Sequence, residues 1–106
     1  MAIDQELLLK IKTSLRISHT ALDEDVEDTV AACLADLRVC GVQDALTAAD
    51  LAELDPLILR AVKIYCKAVY TDDPAKAARY QEGYDALKSC LMMAEGYGWL
   101  EGGADE

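Results

Sequence analysis

The sequence predicts an all-α domain: a small bundle of about four main helices with short loops, followed by a flexible C-terminal tail. Three observations carry this reading. Apolar residues recur at three- and four-residue spacing through most of the chain, which places them on helix faces. Alanine is abundant and Phe is absent although 53% of the 106 residues are hydrophobic, so helices can approach closely with few large side chains between them. Two Asp-Pro pairs, Asp55-Pro56 and Asp73-Pro74, have the chemistry of helix starts. A chain of this length forms one domain and can bury roughly two-thirds of the surface its unfolded form exposes. The expected organisation is a helical domain over residues 1–94 and a Gly-rich acidic tail over residues 95–106.

The first helix is expected to start at Asp4, whose carboxylate can cap free backbone amides, with Ile3 and Leu8 set as a hydrophobic staple. Leu7, Leu8, Ile11 and Leu15 form its stripe, and Lys10, Lys12 and Arg16 fall toward the negative end of its dipole. Ile17 leaves the helix and pins the link from Ser18 to Ala21 onto the core. The second helix opens at Leu22-Asp23, where Asp23, Glu24 and Asp25 occupy the positive first turn. Val26, Val30, Cys33, Leu34 and Leu37 follow on one face, Cys40 extends it, and Gly41 provides a left-handed stop.

Between residues 42 and 55, Thr47-Ala48-Ala49-Asp50 resembles a capping box with Asp for Glu and is compatible with a short helical turn through Leu54, or with a loop. The third helix starts at Asp55-Pro56. Its face of Leu57, Ile58, Ala61, Val62, Tyr65, Ala68 and Val69 is broad enough to place it at the centre of the core. The fourth starts at Asp73-Pro74 after a three-residue turn, so the two should pack roughly antiparallel. Tyr80, Tyr84, Leu87 and Leu91 share its stripe. Gly83 inside it costs about 1 kcal/mol relative to Ala, unless another backbone approaches there. From Glu95 the pattern dissolves into glycines and acids, yet Tyr97, Trp99 and Leu100 are large apolar groups of the kind that mark contact surfaces.

Ten basic against twenty acidic residues give a net charge of −10, which repels phosphate and argues against tight nucleic-acid binding. The acid is uneven: residues 22–41 carry six acids and one base, and residues 93–106 carry four acids and no base. Cys33, Cys40, Cys66 and Cys90 lack paired CxxC spacing and sit in apolar helical surroundings, so they are expected to be buried free thiols. Cys33 and Cys40 share a face but lie about 10 Å apart along the axis, too far to bond or share a metal. No basic leader region and no apolar run of about 20 residues is present, which points to a soluble cytoplasmic chain.

Candidate chemistry is sparse. His19, the only histidine, sits between Ser18 and Thr20 in a link and reads as an exposed loop residue. Glu24 and Glu27 form an ExxE pair and Glu82 and Asp85 an ExxD pair; facing each other on two helices, such pairs could hold Mg²⁺, as in all-helical nucleotide pyrophosphohydrolases. A whole helix separates them in sequence, no basic cluster is visible for phosphates, and dipole placement explains the first pair. Tyr65, Tyr80 and Tyr84 read as core residues with hydroxyls at the boundary, and Met92-Met93 as packing at a helix end.

Taken in order, the segments Ile11-Lys12 to Leu15-Arg16-Ile17, Leu22 to Val26, Ala31-Ala32, Asp36-Leu37 and Gly41 resemble the phage head-tail connector family, the DNA-packaging adaptor proteins of tailed phages and prophages. Leu54 to Ile58, Ala61 to Tyr65, Tyr84 to Lys88 and Leu91 continue the resemblance, which spans about residues 5–91. The cysteines and the Gly/Trp tail depart from it. The resemblance implies a structural, non-enzymatic subunit without a cofactor that forms a ring, dodecameric on the portal, joining capsid to tail and lining the DNA channel. It further implies the portal and a tail-side connector or stopper protein as partners, and a place in the virion after assembly in the host cytoplasm. Within it, Tyr97, Trp99 and Leu100 are expected to contact the portal or an adjacent subunit, and Asp23, Glu24, Asp25, Glu27 and Asp28 to face the channel or a neighbour. Two other classes stand beside this reading: a Mg²⁺-dependent nucleotide hydrolase using Glu24, Glu27, Glu82 and Asp85, and a small acidic helical regulator that binds a host protein.

Overall fold

The computed structural model describes residues 4–42 and 54–93, and these form an all-α bundle of four helices. They are α1 (Gln5–Leu15), α2 (Asp23–Val39), α3 (Pro56–Tyr70) and α4 (Pro74–Met93). Ile3 of the expected staple, the capping pattern at 47–50 and the tail at 95–106 lie outside the described residues.

Helix starts follow the sequence chemistry. The Asp4 carboxylate accepts from the Leu7 amide at 3.3 Å, Asp55 from Leu57 at 2.9 Å, and Asp73 from Ala75 at 3.0 Å, each satisfying an amide that has no partner inside its helix. α2 begins at Leu22 without a side-chain cap, leaving Asp23, Glu24 and Asp25 to complement the dipole.

Two helices end in the same hydrogen-bond motif. After α2, the Val42 amide donates to the Leu37 carbonyl at 2.9 Å and the Gly41 amide to Arg38 at 3.0 Å, with Gly41 at φ 109°. After α1, Ile17 donates to Lys12 at 2.9 Å and Arg16 to Thr13 at 3.1 Å, and here an arginine takes the left-handed position at φ 62°. Both are Schellman stops, and both send the next apolar residue, Val42 or Ile17, back toward the core. The pinning role expected of Ile17 is therefore met, by a left-handed arginine that the sequence did not signal.

The core joins Leu7, Leu8 and Ile11 of α1, Val26, Val30, Cys33, Leu34 and Leu37 of α2, Ile58, Ala61, Val62 and Cys66 of α3, and Tyr84 and Leu91 of α4. α3 packs against all three other helices, most extensively against α4, so it is the central helix. Its buried face is narrower than the apolar pattern suggested, because Leu57 and Val69 are 45% and 53% exposed. Leu57 is rotated about 100° from Ile58, and Val69 lies beyond Cys66, the last buried residue of α3. Gly83 does not serve a close backbone approach: a Cβ there would meet only Ile64 Cγ2, at 3.9 Å.

Candidate functional site

At one end of the bundle, the last turns of α1 and α3 meet the acidic start of α2. Lys12 lies in the last turn of α1, at the negative end of the dipole as its position implied, and there its side chain is buried with the ammonium 2.6 Å from Asp23. A charge at that depth needs a partner, and Asp23 supplies it while clasping α1 to α2. Tyr70 of α3 donates its hydroxyl to Asp25 and lies 3.3 Å from the Thr29 hydroxyl. Burial, followed by the Asp25 carboxylate, pushes the Tyr70 phenol up to about 12. Among the five acids of this helix start, Asp23 and Asp25 thus have partners within the molecule. Glu27 is half-buried, whereas Glu24 and Asp28 are exposed and four residues apart on the face opposite Val26 and Val30.

Beside this acidic start is a cleft of about 380 Å³ between the ends of α1 and α3 and the beginning of α4. Arg16, Lys67 and Lys76 reach it from three helices or their caps, and Tyr70 and Tyr80 contribute phenol groups. None of these three cations forms an ion pair with a described residue. The cleft went unseen in the sequence because its cations are 51 and nine residues apart, with no local pattern to join them. His19 stands exposed nearby in the chain, its Nδ1 accepting from the Ala21 amide at 3.3 Å, a local turn contact.

A second polar group ties α2 to α4 across α3. Tyr84, a buried residue, donates to Asp36 Oδ2 at 2.7 Å, and Lys88 Nζ donates to the same oxygen at 3.0 Å. The Cys33 thiol donates to the Tyr84 hydroxyl at 3.7 Å. The Tyr65 ring meets Tyr84 edge-on at 5.0 Å, and the Lys88 ammonium lies 5.2 Å from the Tyr84 ring centre. Burial works against an ionised Asp36, but the hydrogen bonds from Tyr84 and Lys88 outweigh it and hold the carboxyl below its usual range. Burial likewise works against the Lys88 charge, and the Asp36 carboxylate outweighs it, raising the ammonium. Burial, with Cys33 and Asp36 beside it, drives the Tyr84 hydroxyl upward, so it stays a donor. The spacing of Tyr84 and Lys88 at i and i+4 was a readable signal for this clamp; their common partner Asp36 was not.

Among the described residues no group of three or more His, Cys, Asp or Glu side chains is placed to hold a metal ion. Glu24, Glu82 and Asp85 are exposed, and Asp85 accepts from Gln81 at 3.0 Å, so the hydrolase arrangement is not supported. Cys33 and Cys66 are buried, and burial pushes both thiols up to about 12, away from the reactive thiolate. The expectation of four buried thiols is corrected for the other two: Cys40, on the face of Cys33 but past the last residue of α2, is half-buried, and Cys90 is exposed, off the stripe of Tyr84 and Leu91 that α4 turns inward. Met92 and Met93 are also exposed, in place of the packing expected of them.

A family model described as "Phage connector protein" matches residues 7–98, which takes in nearly all of α1 and the whole of the other three helices. The chain belongs to the phage connector protein family. No curated protein and no solved structure matches it. The family match of this connector begins and ends slightly later than the pattern read from the residues: it includes Tyr97 and stops short of Trp99 and Leu100. No helix among the connector's described residues is long and apolar enough to cross a membrane.

Proposed function

We propose that this connector is a head-tail adaptor subunit that forms a ring beneath the portal, joins capsid to tail and surrounds the path of the DNA. Membership of the phage connector family over residues 7–98 is the observation that carries this reading. Physical features support it. A compact helical body with small exposed residues such as Ala32 and Ala35 on α2 can pack sideways against a copy of itself. A heterologous contact of this kind closes into a ring when the rotation between copies allows. A net charge of −10 lets DNA pass without adhering, since its phosphates are repelled.

The partners in this reading are further copies of the chain, a dozen on the portal, then the portal protein itself and a tail-side connector or stopper. The subunit works by assembly and carries out no turnover, and its place is the virion, reached from the host cytoplasm. Residues 1–94 supply the body and 95–106 a tail whose Tyr97, Trp99 and Leu100 dock on the portal or an adjacent subunit. Asp23, Glu24, Asp25, Glu27 and Asp28 supply the acid that faces the channel or a neighbour. The test is the mass of the purified protein by light scattering, and negative-stain imaging of it alone and with its cognate portal. Closed rings on the portal are expected. A chain that stays monomeric and never engages the portal rejects the proposal.

A further inference from the structure

We propose that the cleft formed by Arg16, Lys67 and Lys76 receives the outward carboxylates of α2, Glu24 and Asp28, from a second copy of this chain. The proposal rests on the ring-forming reading and names the contact within it. Bringing three cations together from separate helices is unfavourable unless an anion answers them, and none of the three forms an ion pair with a described residue. The chain holds twice as many acids as bases, so a second copy is itself a source of that anion. At physiological salt the screening length is about 8 Å, so contact is decided by local charge and not by the −10 carried by each copy.

Which acids can reach the cleft follows from the geometry. Asp23 is taken by Lys12 and Asp25 by Tyr70, while Glu24 and Asp28 stand exposed, one turn apart, on the outer face of α2. The same two bonds tie the start of α2 to the ends of α1 and α3, where the cleft lies, so donor patch and acceptor patch share one end of the bundle. They occupy different sides of it: the cleft opens between α1, α3 and α4, and the acids point away from the core on α2. Copies standing side by side at one level bring the two together. Two carboxylates one helical turn apart suit a cleft of about 380 Å³. Asp72 and Asp73, exposed on the turn that follows Thr71 of the cleft wall, oppose a continuous run of nucleic-acid phosphates.

The test uses two full-length variants, K67E/K76E and E24K/D28K, compared with the wild type by sedimentation velocity at low and high salt, alone and on the cognate portal, with helical content checked by circular dichroism. Each variant alone should associate at least tenfold more weakly than the wild type, and an equal mixture of the two should recover association, because the reversed charges then face each other. Variants that assemble as well as the wild type overturn the cleft contact while leaving the ring intact. A mixture that fails to recover overturns it as well, whether the true occupant is the 95–106 segment, shown by an equal loss on deleting it, or a DNA duplex, shown by wild-type binding that K67E/K76E lacks. A wild type that never associates, alone or on the portal, removes the ring reading and this contact together.

Discussion

Tyr84 of α4 holds two other helices with two parts of one side chain: its hydroxyl donates to Asp36 and accepts from the Cys33 thiol, both of α2, and its ring packs edge-on against Tyr65 of α3. Y84F preserves the ring and deletes only the hydrogen bonds. It should cost about 1–2 kcal/mol by urea titration, at or just below the low end of the range for bonds to charged groups, since Asp36 is partly solvated. Asp36 sits below its usual value when folded, so its contribution is present above the unfolded carboxylate pKa and is lost as pH falls through the folded one. The gap between wild type and Y84F should therefore be full at pH 7 and narrow as the pH falls below about 4, leaving the part due to the Cys33 bond. The thiols act at the other limb. Cys33 and Cys66 move from an ordinary 9.0 to about 12, so the stability they lend is complete below pH 9 and lost as pH rises toward 12. Between pH 9 and 10 stability should fall by up to about 1.4 kcal/mol per pH unit for each thiol, and Tyr65, Tyr70 and Tyr84, all raised from 10.0, steepen the fall toward the upper end of that window. C66A should lower that slope by the share of one thiol, and an unchanged slope would discard the assignment.

At the scale of elements, starts were legible and stops only partly so. An aspartate followed by proline acts within three residues, so its capping bonds at Asp55 and Asp73 follow from local chemistry alone. Gly41 was legible for the same reason. Arg16 was not, since an arginine enters the left-handed region only when the bonds of Ile17 and Arg16 back into α1, and the burial of Ile17, outweigh the strain. Two glycine substitutions separate local from tertiary demands. G83A adds a methyl group at ordinary contact distance from Ile64 inside an exposed stretch of α4, and should stabilise by about 0.5–1 kcal/mol. G41A forces a side chain to φ 109° and should destabilise by about 1 kcal/mol or more, although nothing lies within 4 Å of it. Chemical denaturation of the two variants checks both signs.

For the whole molecule, the relevant quantity is association. If the tail contributes anchors, deleting residues 96–106 should leave the helical circular-dichroism signal intact and weaken binding to the portal or to neighbouring copies. Ordering a glycine-rich segment offsets part of what docked aromatics contribute, so a loss of tenfold or more would mark Trp99 and its neighbours as anchors. Unchanged affinity in the deletion would remove the tail from the interface. The charge-reversed cleft variants ask the same question of the opposite sign of charge, and the two experiments together show which surfaces the assembly uses.

Helix number, helix starts, the inward stripes of α1 and α2 and the kinship with phage connectors were all present in the chain's own order of residues. Each depends on neighbours within about four positions, or on a sequence of such segments. The tertiary structure decided what long separations bring together. It turned Lys12 inward onto Asp23, joined Asp36 to Tyr84 and Lys88, took Leu57 and Val69 out of the core, and gathered Arg16, Lys67 and Lys76 around one cleft. The physical reason is range: caps and amphipathic faces are local, whereas the partner of a buried charge is set by how helices cross, and no periodicity records that.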